Sequence, residues 1–224
     1  GLLSEKAGAE AAADELRRDL SDEVQRASDR ASAAAQASQF YELIRQQQRA
    51  EVVRRYPAMA KEALSPAEAA VFRDFEQQFR QELSLELYQK GLQLAAAKKH
   101  EEAIARFEEA IQLHPDGTHI PAVKHSLALS LRKEKRSAEA LIYAQQVAKQ
   151  TVDVALQPDG WWLVALCARD LDDLDTAKDA LKTLINKWPR SAITRDARPV
   201  FREVTREIWQ GKQTATSPAA PDAQ

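Results

Sequence analysis

The sequence has few cysteine, glycine, proline and aromatic residues, and these shortages argue against disulfide-linked and β-sheet proteins. The single cysteine, Cys167, leaves no partner for an intramolecular disulfide. Six glycines and nine prolines are few for 224 residues, and the sparse β-branched and aromatic residues argue against a large β-sheet. With 32 basic and 34 acidic residues, the net charge of -2 gives no reason to expect nucleic acid as a partner. No apolar run approaches the length of about 18 residues that a membrane-spanning helix needs.

The residues that are abundant are those that favour helices. Ala, Leu, Glu, Gln, Lys and Arg dominate the composition, and they have the highest helix propensities. We therefore predict an all-α protein. The chain begins with Gly1 rather than Met, and a signal peptide, lipid anchor or membrane segment ahead of it could not be read from this sequence.

Three segments of the chain share one pattern, and alanine marks its period. Ala103, Ala140 and Ala177 follow one another at intervals of 37 residues. A second set of small residues precedes them at the same interval: Gly91, Ala128 and Ala165. Small side chains at both places let two helices approach to the short end of the usual range of about 8–10 Å. Each segment is therefore predicted to be a hairpin of two helices, which we call helix A and helix B.

The larger residues of the pattern support the same reading. Bulky side chains are predicted to fill the space between neighbouring repeats, and a proline follows the second helix of two repeats: Leu87, Phe107, Trp161 and Leu181, with Pro115 and Pro189. Over roughly residues 84–205 the pattern resembles the tetratricopeptide repeat (TPR) family, whose usual period is about 34 residues. The longer loops, at 114–122 and 187–191, are similar to those of two bacterial envelope groups. These are the periplasmic TolA-binding cell-division coordinators and the outer-membrane assembly lipoproteins of the BamD type.

The chain is predicted to have four parts. Residues 1–56 form an amphipathic helix that Pro57 ends, and residues 57–83 form a helical connector. Within the connector, Ser65 and Glu68 form a capping box that starts a helix. Residues 84–210 form a three-repeat TPR superhelix closed by a capping helix, which repeat arrays need to cover their last core face. Gly211 is predicted to end that helix, and residues 211–224 are predicted to be a disordered tail.

The N-terminal helix carries an apolar stripe at three- and four-residue spacings. Its members are Leu16, Leu20, Val24, Ala27, Ala31, Ala34, Ser38 and Tyr41. From Val24 onward the spacing approaches that of a coiled-coil seam, and the TolA-binding family has a coiled coil at this place. Three interpretations remain open: self-association into a homo-oligomer, packing of the helix onto its own TPR domain, or a loosely ordered helix.

Nothing in the sequence indicates catalysis. The four histidines are scattered, and no pair has a helical metal-ligand spacing with a carboxylate partner. A glycine-rich phosphate loop, a nucleophile elbow and a Cys-His pairing are all missing. We predict a protein that is not an enzyme and needs no cofactor and no metal.

Function is expected to reside in partner binding. In a TPR superhelix, helix A of each repeat lines the concave face, and equivalent positions there form an aromatic row, a leucine row and a basic edge. The predicted partner-binding residues are Tyr88, His125 and Trp162; Leu92, Leu129 and Leu166; and Arg132 and Arg169. This composition suits a peptide segment or helix with apolar anchors and an acidic group. Of the two adjacent tryptophans, Trp161 is expected to face the helix pair and Trp162 the groove. The alternative is that the leucine row is core, covered by the chain's own N-terminal helices.

The resemblance implies an adaptor or scaffold in the bacterial cell envelope, periplasmic or envelope-associated. Two other functions fit the same features: a cytosolic chaperone of the secretion type, and a structural subunit built into a larger membrane-associated assembly. The identity of the partner cannot be read from the sequence.

Overall fold

Helices joined by turns make up the part of the protein that the structure describes. The computed structural model describes residues 2–150 and 153–216, and no strand occurs in these ranges. The all-α prediction is therefore confirmed. The helices are α1 (Leu2–Arg45), α2 (Arg49–Met59), α3 (Pro66–Ala96), α4 (His100–Leu113), α5 (Ile120–Lys133), α6 (Ser137–Gln150), α7 (Gln157–Asp170), α8 (Leu174–Lys187) and α9 (Ala192–Thr216). They divide into two compact units between Leu83 and Ser84, inside α3.

The first unit is built from α1, α2 and the beginning of α3. The first long helix ends at Arg45, and Gln47 takes a left-handed conformation with φ of 54° in the turn to α2. The prediction that Pro57 ends this helix is wrong, because Pro57 lies within α2. The buried core of this unit contains Ala37, Phe40, Ile44, Val52, Met59, Phe72 and Phe79.

The buried face of α1 differs from the predicted stripe. Its buried residues are Ala33, Ala37, Phe40 and Ile44, which follow spacings of four, three and four. The stripe predicted from the sequence, from Leu16 to Tyr41, is exposed instead. Leu20 and Val24 are 66% and 63% exposed. The helix therefore uses one face for its own core and presents a second apolar face to solvent.

The start of α3 follows its sequence signature. The Glu68 amide donates to Ser65 Oγ at 3.2 Å, and the Glu68 carboxylate accepts from the Ser65 amide at 3.0 Å. This reciprocal pair satisfies two of the free amides of the first turn. The hydroxyl of Ser65 also donates to that carboxylate at 2.6 Å, and these hydrogen bonds lower the pKa of Glu68.

The second unit contains the predicted repeats. Its A helices are the end of α3, α5 and α7, and its B helices are α4, α6 and α8. All six predicted crossing residues are buried, and a Cβ atom added at Gly91 would lie 2.4 Å from the ring of Phe107, on helix B of the same repeat. Helices α4 and α8 end at Leu113 and Lys187, before Pro115 and Pro189.

The turn from helix A to helix B is the same in all three repeats. Lys98, Lys135 and Asp172 are each left-handed, with φ of 62°, 60° and 59°. In each turn the following amide reaches back five residues, as when the Arg136 amide donates to the Leu131 carbonyl at 2.9 Å. This is the Schellman ending of a helix, for which glycine is the preferred left-handed residue. The three repeats therefore place a residue with a Cβ atom where the backbone favours glycine.

Replacing Lys135 by glycine is expected to stabilise the protein. A left-handed conformation costs a residue with a Cβ atom about 1 kcal/mol, which glycine avoids. Urea unfolding measures the effect as a higher midpoint. Lys124→Gly, in the interior of α5, is the matched control and should lower the midpoint, because glycine in a helix interior costs about 1 kcal/mol. Changes of the same sign in both variants would contradict the interpretation.

Helix α9 closes the array and is longer than predicted. It packs against α7 and α8, and its buried residues are Thr194, Ala197 and Val204. The prediction that Gly211 ends it is wrong, since the helix continues to Thr216. A lone glycine is tolerated within a helix when the residues around it favour helix. The rest of the predicted tail, residues 217–224, lies outside the described residues.

Candidate functional site

The A helices of the second unit share one surface. Helix α5 contacts α7, and α7 contacts α9, so successive A helices line the inner side of the superhelix. The positions predicted to bind a partner fall on these helices at equivalent places in each repeat. We call the surface formed by Tyr88, Leu92, His125, Leu129, Trp162 and Leu166 the A-helix face.

The leucine row of the A-helix face is open in two repeats. Leu92 and Leu129 are 41% and 40% exposed, and Leu166 is half-buried. Their immediate neighbours Gly91, Ala128 and Ala165 are buried against helix B. In the first two repeats a buried packing residue is therefore followed directly by an accessible leucine.

The aromatic row lies deeper than the leucine row. Tyr88, His125 and Trp162 are all half-buried. The Tyr88 ring lies 5.9 Å from that of Phe107, and its hydroxyl is 3.5 Å from Ser126 Oγ on the next A helix. Trp161 and Trp162 both contact the core cluster and are half-buried. Burial therefore does not separate the two tryptophans as the sequence led us to expect.

His125 has a carboxylate from the following repeat nearby. Burial lowers the pKa of His125, and the charge of Asp159 opposes that shift. Because the shift from burial is the larger, the ring is neutral at pH 7 and its nitrogens are one donor and one acceptor.

The two arginines of the predicted basic edge are paired within the chain. Arg132 makes a two-pronged contact with Asp170, at 2.6 and 3.2 Å, and Ser137 Oγ donates to the same carboxylate at 3.0 Å. Arg169 lies 3.4 Å from Glu203 and 3.8 Å from Glu207. Arg132 with Asp170, and Arg169 with Glu207, are the same contact displaced by one repeat. The arginines thus join successive A helices, and a role in meeting a partner's acidic groups stays a prediction.

A partly buried Ser-His contact is a feature that the sequence reasoning missed. Ser84 Oγ donates to the Ala110 carbonyl at 2.8 Å and lies 2.7 Å from His119 Nε2. Since the hydroxyl has one proton, Nε2–H of a neutral His119 must be the donor to Ser84. His119 Nδ1 is buried without a hydrogen-bond partner, and the His114 ring stacks 6.1 Å away. Burial, and then the charge of His114, lower the pKa of His119.

The protein is expected to lose stability on mild acidification. His119 and His125 have pKa values below the ordinary value of 6.5. The unfolded chain therefore binds more protons near pH 6, and stability falls as the pH falls through that region. The midpoint of urea unfolding should be lower at about pH 5.5 than at about pH 7.5. His119→Gln, which keeps a donor for Ser84, should reduce this difference; an unchanged difference would contradict the assignment.

Cys167 does not add a reactive group to the site. The thiol is fully buried, and burial raises its pKa to about 11. A thiol with this pKa is almost entirely protonated at neutral pH, so it is a poor nucleophile and metal ligand. Within the described residues, no cluster of His, Cys, Asp and Glu could hold a metal ion. The same ranges contain no helix long and apolar enough to cross a bilayer.

Solved structures share the fold of the repeats. The TPR domain of Sgt2 from Aspergillus fumigatus matches 63% of this chain and 90% of its own, with a TM-score of 0.50 and 21% identity. The C-terminal TPR-containing domain of a Plasmodium falciparum FK506-binding protein matches 61% of this chain and 95% of its own, with a TM-score of 0.52 and 15% identity. The protein is thus an all-α TPR superhelix.

The sequence identifies the family more narrowly. The model of the outer membrane lipoprotein family YfiO matches residues 80–208, which is more than half of the 224 residues. The chain belongs to this family, and the resemblance to TPR lipoproteins of the BamD type is confirmed. No curated protein sequence matches the chain.

Proposed function

We propose that this protein is a non-enzymatic adaptor of the bacterial cell envelope that holds a segment of a partner protein on the A-helix face. The observation that carries the proposal is the pair of exposed leucines, Leu92 and Leu129, at equivalent positions of two repeats. At both positions about two fifths of the apolar side chain is open to solvent. It is therefore available to anchor a segment that lies along the face.

The chemistry of the face favours an apolar anchor over an acidic group. Arg132 and Arg169 already have carboxylate partners, so a ligand would have to displace Asp170 or Glu203 to use them. The half-buried aromatic rings of Tyr88 and Trp162 offer flat apolar surface, with the Tyr88 hydroxyl at the edge. A helix or extended chain with leucine- or phenylalanine-sized side chains at a spacing that reaches both Leu92 and Leu129 would fit this surface.

An envelope location is part of the proposal. It is supported by membership of a family described as outer membrane lipoproteins. Fractionation of cells expressing the full gene product tests it directly, with the protein expected in the envelope fraction. Recovery of the protein in the cytosol would favour the chaperone alternative.

Charge substitutions on the leucine row are expected to abolish partner capture without unfolding the protein. The double variant Leu92→Asp/Leu129→Asp places two carboxylates where apolar anchors should sit, at a cost to binding of about 2 kcal/mol or more. Because both side chains are exposed, the melting temperature should change little. A photo-crosslinking residue placed at position 129 should give a defined adduct with the partner in cells, and the yield of this adduct measures capture. Leu92→Asp should lower that yield.

Helix B supplies the matched control. Ile142 lies on α6 and is 58% exposed, so it is at least as accessible as Leu129 but belongs to the other helix of its repeat. A crosslinker at position 142 should give no adduct with the same partner, and Ile142→Asp should leave capture intact. Equal adducts from positions 129 and 142, or capture that survives the double variant, would contradict a site on the A-helix face.

A further inference from the structure

The outer side of α9 carries a row of arginines without counter-ions. Arg198, Arg202 and Arg206 are exposed and form no ion pair within the described residues. The nearby carboxylates of the same helix, Glu203 and Glu207, point to Arg169 on α7. Charge is therefore segregated across α9: its acidic side is neutralised by the repeat array, and its basic side faces solvent.

A groove runs between this basic side and α8. It has a volume of about 320 Å³ and is lined by Lys182, Ile185, Asn186, Arg198, Phe201 and Arg202. Ile185 and Phe201 are half-buried and contact the core cluster. Three of the six lining residues are cations and none is an anion, so the groove combines an apolar floor with positively charged walls.

Comparison of α9 with the A helices of the three repeats shows which element lies at the equivalent place in each repeat. Helix α9 continues the period of 37 residues, because Arg169 meets Glu207 as Arg132 meets Asp170. In that register Arg202 is equivalent to Gly91, Ala128 and Ala165. Gly91 is the position where helix A meets helix B of its own repeat, since its nearest neighbour is the Phe107 ring. Arg202 therefore faces the place of a fourth helix B, and the described residues contain no helix there.

The residues of α9 that face this place do not suit a helix like α4, α6 or α8. Where the three repeats have glycine or alanine, α9 has an arginine, and where repeat three has Trp161, α9 has Arg198. An incoming helix with the alanines of α4, α6 or α8 would leave both guanidinium groups without counter-ions, at a cost in desolvation. A helix with acidic side chains at these positions would pair with them, because guanidinium groups bind carboxylates through two hydrogen bonds.

We propose that the groove between α8 and α9 binds an acidic amphipathic helix of a partner protein, which completes the array as a fourth helix B. This surface is separate from the A-helix face, and the two proposals can fail independently. The partner helix presents glutamate or aspartate to Lys182, Arg198 and Arg202, and an apolar side chain between them to Ile185 and Phe201. A flat anionic bilayer could meet the arginines, but it could not enter the groove to contact its apolar floor.

A synthetic peptide tests the proposal on the full chain. The probe is a fluorescently labelled helix of about 18 residues made of Ala, Leu and Glu, with Leu and Glu on one face. This peptide should bind. A second peptide, in which Ser replaces every Leu, should bind at least about tenfold more weakly. The charge reversal Arg198→Glu/Arg202→Glu should weaken binding of the first peptide by about tenfold or more, and Lys182→Glu, on the opposite wall, should weaken it in the same direction.

The control separates the groove from general charge. Lys98→Glu/Lys133→Glu makes the same change in net charge at exposed positions of the first two repeats and should change binding by less than about threefold. Circular dichroism melts establish that all variants are folded. Equal binding of both peptides, equal loss in the control variant, or binding only to phosphatidylglycerol vesicles would overturn the proposal. A self-associated mass that falls to the monomer in Arg198→Glu/Arg202→Glu would also overturn it, by assigning the groove to a second copy of the chain.

Discussion

Replacing Gly160 by alanine is expected to destabilise the protein by about 3 kcal/mol. Gly160 is the fourth residue of α7 and is buried. A Cβ atom there would lie 2.6 Å from the amide nitrogen and 2.8 Å from the Cα atom of Ala148 on α6. These are backbone atoms, so no side chain can rotate away, and the two helices would have to separate. The crossing of α6 and α7 is central to the array, and its separation would loosen the core on both sides.

The sign of this effect is the informative part of the experiment. In an exposed helix, glycine to alanine stabilises by up to about 1 kcal/mol, because alanine loses less backbone entropy on folding. Gly211 provides that comparison, since it lies within α9 and a Cβ atom there would meet nothing within 4 Å. Gly160→Ala should lower the midpoint of urea unfolding, and Gly211→Ala should leave it unchanged or raise it slightly. If Gly160→Ala were as stable as the parent protein, α6 and α7 could not cross this closely.

Charges on the exposed stripe of α1 are expected to convert an oligomer into a monomer. We propose that this stripe associates with a second copy of the chain, because Leu16, Leu20 and Val24 form a continuous exposed apolar row. Leu20→Glu/Val24→Glu would place two like charges from each chain in the seam. Buried carboxylates without partners cost several kcal/mol, which exceeds what an alanine-rich seam contributes. Sedimentation equilibrium should therefore report the monomer mass for the variant and a multiple of it for the parent.

The opposite side of α1 supplies the control for this experiment. The double variant Arg18→Glu/Gln25→Glu introduces two glutamates on the face of α1 away from the stripe, and it should leave the oligomer intact. A monomeric parent protein would contradict the proposal outright. Dissociation in both variants would mean that net charge, rather than the seam, controls association.

Much of the repeat architecture was accessible from the sequence. The period of 37 residues, the small residues where helix A meets helix B, the prolines after two B helices and the Ser65–Glu68 capping box all recur in the structure. Each is encoded locally, or at a fixed interval, by the size of one side chain or by one hydrogen bond. A pattern of this kind needs no knowledge of which distant segments come together.

The errors lie where two apolar patterns or two weak signals compete. Helix α1 has two apolar faces, and the sequence reasoning chose the longer one, from Leu16 to Tyr41, although the face containing Phe40 and Ile44 is buried. Pro57 and Gly211 were read as helix ends, but both lie within helices. Proline and glycine disfavour a helix by a few kcal/mol or less, and the helix-forming residues and packing around them outweigh that preference.

By itself the sequence determined the helix content, the repeat period and the family, because side-chain size and periodicity encode how each hairpin packs. Tertiary structure alone decided which charges are free. Arg132 pairs with Asp170, and Arg169 pairs with Glu203 and Glu207. Arg198 and Arg202 have no carboxylate partner among the residues that the structure describes. The sequence alone does not show which of these four arginines are paired. The free energy of an ion pair depends on the distance between two side chains and on their exposure to water, and only folding sets these two quantities.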